Sequence, residues 1–165
     1  MRAARVELLQ QMPIFGAVDA ATLEFLLEPA PLVERATGEF FFREGDPAQA
    51  MYVLESGRVT ISKTWQAQAV LLRRLGQGDC FGEMALLDLF PRSASVRADE
   101  DCRAIELTSA NLYRLFERDA AEFAVIQMNI GRELSRRLRA TDECCSAPAW
   151  ARPCPRRNAS PPGAA

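Results

Sequence analysis

The chain has 165 residues, 48% hydrophobic and 25% charged, which is enough for one globular domain with a buried core. Lys and Arg total 20 against 22 Asp and Glu, a net charge of −2, and this argues against a generally basic nucleic-acid surface. The count of 0 histidines removes Ser-His-Asp and Cys-His catalysis and histidine-rich metal sites.

In chain order, Met1 to Gln10 mixes charges with leucines at helical spacing and lacks the basic start and apolar core of a secretion signal. No run of about eighteen apolar residues follows, so no membrane contact and a cytoplasmic setting are expected. Val6, Leu8 and Leu9 precede Pro13-Ile14-Phe15, and Asp19 can cap a helix whose Leu23, Leu26 and Leu27 share one face. Two short N-terminal helices are expected, the second ended by Pro29 and Pro31. Leu32 and Phe40-Phe41-Phe42 then fall in short strands punctuated by Gly38 and Gly45. The three phenylalanines alternate faces, which favours core and sheet packing over a stacking platform for bases.

Met51 to Glu55 and Arg58 to Lys63 around Ser56-Gly57 have the form of a hairpin, with Val70 to Leu75 as a further strand. Gly76 to Asp79 make a turn into Cys80-Phe81, and strands at Ala94 to Ala98 and Cys102 to Leu107 flank the turn at 98–101. The expected fold is α+β, an antiparallel β-roll of about eight strands, jelly-roll-like, between N-terminal helices and a long C-terminal helix. Thr108 is an N-cap for a helix through Leu112, Leu115 and Phe116. From Ala121 to Cys145 the residues Phe123, Ile126, Ile130, Leu134 and Leu138 keep one apolar stripe, with Arg132, Arg136, Arg137 and Arg139 largely elsewhere. That stripe suits packing on the roll or a homodimer seam. Residues 1–146 are expected to form the domain and 147–165, rich in Pro, Ala and Arg, a disordered tail. Cysteines 80, 102, 144, 145 and 154 are odd in number, lack CxxC spacing and are expected to be reduced.

One stretch carries chemistry. Phe81-Gly82-Glu83-Met84-Ala85-Leu86-Leu87 places a turn-permitting glycine before good helix formers, so a short helix starts there with backbone donors that suit phosphate. Arg92, returned by Pro91, can add a charged two-pronged grip on the same group. A carboxylate at Glu83 would repel phosphate but can accept from sugar hydroxyls, and phosphate with hydroxyl suggests a nucleotide. A surface pairing of Glu83 with Arg92 that merely braces the turn is the simpler alternative.

These residues, with Pro91-Arg92-Ser93-Ala94-Ser95-Val96, resemble the phosphate-binding cassette of cyclic nucleotide-binding domains in spacing and residue type. Glu44-Gly45-Asp46-Pro47, Met51-Tyr52-Val53-Leu54 and Gly57-Arg58-Val59 are similar to the turns and strands of that family's roll, and the resemblance runs from about Ile14 to Glu143. It implies that Glu83 holds the ribose 2′-hydroxyl, that Arg92 holds the cyclic phosphate, and that the backbone from Gly82 to Ala85 completes the site. Phe81, Met84, Ser93 and Ala94 would line it. Ser93 after the arginine leans toward cyclic AMP over cyclic GMP. In catabolite activator-like members a threonine matching Thr141 contacts adenine, and the long helix acts as a lid.

No GxxxxGK[ST] loop is present, and Asp99, Glu100 and Asp101 have the form of an acidic turn, so a binding module is expected and not an enzyme. A helix-turn-helix does not follow the long helix within this sequence, so direct DNA binding is not expected. The expectation is a free-standing cyclic-nucleotide sensor that needs no cofactor or metal and acts on an unidentified protein effector. The alternative is a nucleotide-free interaction module on the same roll.

Overall fold

The computed structural model describes residues 2–88 and 90–146, in backbone alone at residues 2, 85 and 140–146. The expected tail and the side chains of Thr141, Cys144 and Cys145 lie outside the described residues. Two compact units divide the chain, one ending at Ile130 and the other beginning at Gly131.

The first unit opens with α1 (Arg2–Gln10), a 3-10 turn at Pro13–Phe15 and α2 (Ala20–Leu27). Asp19 caps α2 as its sequence position requires, its carboxylate accepting from the Thr22 amide at 2.8 Å. Val6, Leu9, Ile14, Phe15, Leu23 and Leu26 are buried, so both helices are held by their apolar faces. The strands are β1 (Leu32–Arg35), β2 (Phe40–Phe42), β3 (Ala50–Ser56), β4 (Val59–Trp65), β5 (Gln68–Leu75), β6 (Cys80–Phe81), β7 (Ser95–Ala98) and β8 (Cys102–Thr108). They form two antiparallel four-stranded sheets in the orders β1-β8-β3-β6 and β2-β7-β4-β5. Phe41, Tyr52, Leu54, Val59, Phe81, Val96 and Ala104 pack together in the core of the roll.

Both strands expected at 51–55 and 58–63 form, but they do not pair with each other. β3 pairs with β6 and β8, and β4 pairs with β5 and β7. The physical reason is burial. Leu54 and Val59 both have to reach the same core, and a flat hairpin would keep their strands in one sheet, so the chain crosses between sheets at Gly57. The turn at 99–101 makes the return crossing beside it, with the Asp99 amide donating to the Arg58 carbonyl at 2.8 Å. Gly57 has φ 95°, and a Cβ there would lie 2.6 Å from Cys102 Sγ and 2.7 Å from the Asp101 carbonyl oxygen. The two crossings can only approach this closely at glycine.

The hairpin that does form joins β4 to β5 through Gln66 and Ala67, both with positive φ (48° and 61°). Such a turn ordinarily carries Asn-Gly, and its absence left this hairpin without a sequence signal. After β8, Thr108 caps α3 (Ser109–Arg118) in a reciprocal box with Asn111, whose Oδ1 accepts from the Thr108 amide at 2.8 Å. α4 spans Ala120–Ser146. In its first unit portion Ile126 and Ile130 are buried, and Asn129 donates to the Gly16 carbonyl at 2.8 Å. The expected stripe is therefore core packing up to Ile130. From Gly131 on, Glu133 accepts from Arg137 at 3.0 Å along the helix, and Leu138 is 62% exposed. Among the described residues no helix is long and apolar enough to cross a membrane.

Opposite effects are expected at the two tight turns. Gly57→Ala should destabilise by about 2 kcal/mol or more through left-handed strain and backbone overlap, and Ala67→Gly should stabilise by about 0.5 kcal/mol. Urea unfolding midpoints of the two variants, read against wild type, check both signs.

Candidate functional site

β6 ends at Phe81, and Gly82 (φ 78°, ψ 12°) turns the chain into a 3-10 helix at Glu83–Leu86. The short helix expected at Glu83 is thus a single tight turn and not an α-helix. A Cβ on Gly82 would stand 2.6 Å from Arg92 Nη1, 3.3 Å from the Ala50 carbonyl oxygen and 3.4 Å from Phe42 Cε1. Glycine is required here twice over, by its positive φ and by the guanidinium beside it.

Arg92 is brought to that turn by its own main chain. Its amide donates to the Asp46 carbonyl at 2.9 Å, and its carbonyl accepts from the Gly45 amide at 2.9 Å, so the 43–46 loop grips it on both sides. Asp46 closes this loop by accepting from the Arg43 amide at 2.7 Å. The guanidinium lies over the Phe42 ring, Cζ to centroid 3.9 Å, and Nη1 donates to the Gly82 carbonyl at 3.3 Å. Arg92 is only 7% exposed, and its Nε has no hydrogen-bond partner among the described residues. Burial draws its pKa below the usual value, while the electrostatic influence of Tyr52, Glu106, Asp46 and Glu83 pushes the other way. An arginine remains charged across the physiological range under such a shift.

Glu83 is buried at 4% exposure, and its charge acts on Arg92, so the two interact away from solvent and not at an exposed surface. Below the pair lies an aromatic floor. Tyr52 stacks on Phe81 with centroids 5.4 Å apart, and Phe41 meets Phe81 edge-on at 5.1 Å. The Tyr52 hydroxyl donates to Glu106 Oε1 at 3.0 Å. Burial, the hydrogen bond to Glu106 and that carboxylate's charge push the Tyr52 pKa up to about 12.

The expected site residues separate into groups. Gly82, Glu83 and Arg92 come together at one turn, whereas Phe81 is 1% exposed and its ring belongs to the core. Met84 is 43% exposed, with the Ser93 hydroxyl 3.9 Å from its sulfur, and Ala94 is buried. The side chains of Ala85 and Thr141 are outside the described residues. Sequence reasoning missed Phe42 as the surface beneath Arg92, and missed that the Glu44-Gly45-Asp46 turn is what fixes Arg92. The EGDP stretch was visible as a turn, but its partner lies almost fifty residues away in the chain, and no local pattern reports such a pairing.

The family model described as "Cyclic nucleotide-binding domain" matches residues 32–119. A cyclic AMP receptor protein of Thermus thermophilus is 38% identical over 106 residues, covering 64% of this chain and 47% of that protein. A cAMP-dependent protein kinase regulatory subunit of Emericella nidulans is 32% identical over 107 residues, covering 65% of this chain and 26% of that protein. The match therefore spans less than half the length of either relative. Among solved structures, a cyclic nucleotide-binding domain from Methylobacillus flagellatus superposes with TM-score 0.77 at 21% identity, over 86% of this chain and 80% of that one, and shares the fold.

The raised Tyr52 pKa gives a checkable pH dependence. The folded state favours the neutral phenol, so its stabilising contribution is whole below about pH 10 and is lost as pH rises through about 12. The absorbance titration of wild type minus that of Tyr52→Phe should show one phenol ionising near pH 12, and a step near pH 10 would contradict the Glu106 contact.

Proposed function

The chain belongs to the cyclic nucleotide-binding domain family, and from that premise we propose that it is a cyclic-nucleotide sensor of cyclic AMP in preference to cyclic GMP. Arg92 holds the cyclic phosphate, backbone amides at 82–85 complete that grip, and Glu83 accepts from the ribose hydroxyl. Met84, Ser93 and Ala94 border the ligand.

The observation that carries this reading is the state of Arg92. A guanidinium with 7% exposure, one face on Phe42 and an Nε without a partner among the described residues is poorly satisfied by the protein alone. A buried cation of this kind gains most from an anion that brings its own acceptor oxygens. Phosphate does so with bidentate geometry. Glu83, buried a few residues along the same turn, suits a neutral hydroxyl donor and not a second anion.

The module works by binding and not by catalysis, and its ligand is exchanged, not consumed. Its response passes to α4, whose first part is tied to the N-terminal helical segment by the Asn129 bond to Gly16 and buries Ile126 and Ile130. The exposed Leu138 in the later part of α4 supports self-association or contact with a protein effector. The free buried thiol at Cys102 supports a reducing, cytoplasmic setting.

Thermal shift and calorimetry with cyclic AMP, cyclic GMP and plain AMP test the proposal. Cyclic AMP at about a hundred times its Kd should add roughly 2.7 kcal/mol, several degrees for a chain of this size, and AMP should add little. Arg92→Ala should weaken binding about ten- to a hundredfold through loss of a charge-assisted contact, and Glu83→Ala about tenfold. No shift with millimolar cyclic nucleotide would replace the sensor with a nucleotide-free interaction module on the same roll.

A further inference from the structure

The β4–β5 hairpin outruns its sheet. β7 pairs with Val59, Thr60, Ile61 and Ser62 only, its first residue Ser95 lying opposite Ser62. Continuing that register two residues would bring Ser93 opposite Thr64. The chain does not continue there, because Pro91-Arg92-Ser93 leaves the sheet to carry Arg92 to Gly82 and the 43–46 loop. β4 nevertheless runs on with β5 alone, through Lys63↔Val70, Thr64↔Ala69 and Trp65↔Gln68.

The missing strand acceptor is supplied by a side chain. Glu44 Oε2 accepts from the Thr64 amide at 2.9 Å, and Glu44 Oε1 lies 3.7 Å from Lys63 Nζ. Glu44 sits in the same loop that grips Arg92, next to Gly45 and Asp46, and its own amide donates to the Ser95 hydroxyl at 2.9 Å. One short loop thus holds the phosphate-binding arginine by its main chain and the overhanging hairpin by a carboxylate. That overhang exposes Trp65 (68%) and Val70 (43%).

We propose that Glu44 is a positioning residue that couples ligand occupancy at Arg92 to the order of the β4–β5 hairpin, with the loop 43–46 as the rigid link. The assignment rests on the cyclic-nucleotide reading above and adds its regulation. A ligand that fixes Arg92 fixes Gly45 and Asp46, and through Glu44 it fixes Thr64 and the apolar hairpin tip. Without the carboxylate, the tip is tied only to itself among the described residues.

Residue-resolved amide exchange of the full chain, with and without saturating cyclic AMP, tests this in wild type, Glu44→Ala and Glu44→Gln. In wild type, cyclic AMP should slow exchange across residues 63–69. In Glu44→Ala that slowing should vanish, ligand-free Thr64 should exchange at least about tenfold faster, and cyclic AMP should bind about three- to tenfold more weakly. Glu44→Gln keeps an oxygen for Thr64 and should restore all three. A purely structural role would speed exchange over the whole roll and leave the ligand-induced slowing at 63–69 in place, and that result overturns the coupling. If wild type takes up no cyclic nucleotide, the sensor reading falls separately. The link is then decided in ligand-free protein, where Glu44→Ala must speed exchange at both Thr64 and Arg92; an effect confined to Thr64 overturns it.

Discussion

A guanidinium buried against one phenylalanine ring sets the terms for the rest of this structure. Burying a cation away from water is costly unless something compensates, and the Phe42 face and the Gly82 carbonyl supply only part of that compensation. A further part is electrostatic, from the Glu106, Asp46 and Glu83 carboxylates, and it does not outweigh the burial. Each element near the site answers to this one group. Gly82 has no side chain because Nη1 occupies the space, β2 ends in a ring that lies flat under the cation, and the 43–46 loop exists to hold the arginine's main chain. On the proposed function, the local deficit left at Arg92 is what a bound phosphate removes.

The roll that presents this group is built from crossings and not hairpins. β3 is buried along most of its length, so it needs strands on both sides, and neither can be its chain neighbour β4. The crossings at Gly57 and at 99–101 pass within overlap distance of any larger residue. Their closeness lets two small sheets share one core while bringing β2 and β6, far apart in sequence, to opposite sides of the same aromatic cluster. Phe42 can reach Arg92 only because of that arrangement.

Rigidity is unevenly distributed around the site. The main-chain grip on Arg92 and the capped α3 are tightly specified, by paired hydrogen bonds and by a reciprocal box respectively. The end of the β4–β5 hairpin has a single carboxylate to anchor it to the body of the roll among the described residues, and it carries the exposed Trp65 and Val70. Low anchorage and exposed apolar surface are the features expected of a segment that responds to ligand.

By itself the sequence determined what is local. Caps at Asp19 and Thr108, the proline ends of α2, the alternating strands and the glycine before Glu83 all act within a few residues, and each is found where its chemistry places it. The cassette was legible because Gly82, Glu83 and Arg92 sit within one short stretch at a distinctive spacing. Tertiary structure alone decided which strands pair, since Met51–Glu55 and Arg58–Lys63 have hairpin periodicity yet belong to different sheets. It also decided that Glu44 faces Thr64, that Asp46 holds Arg92, and that Phe42 lies under the cation. Those contacts join residues twenty to fifty apart, and they form only because a shared core pulls the two sheets together, a global constraint that no local periodicity encodes.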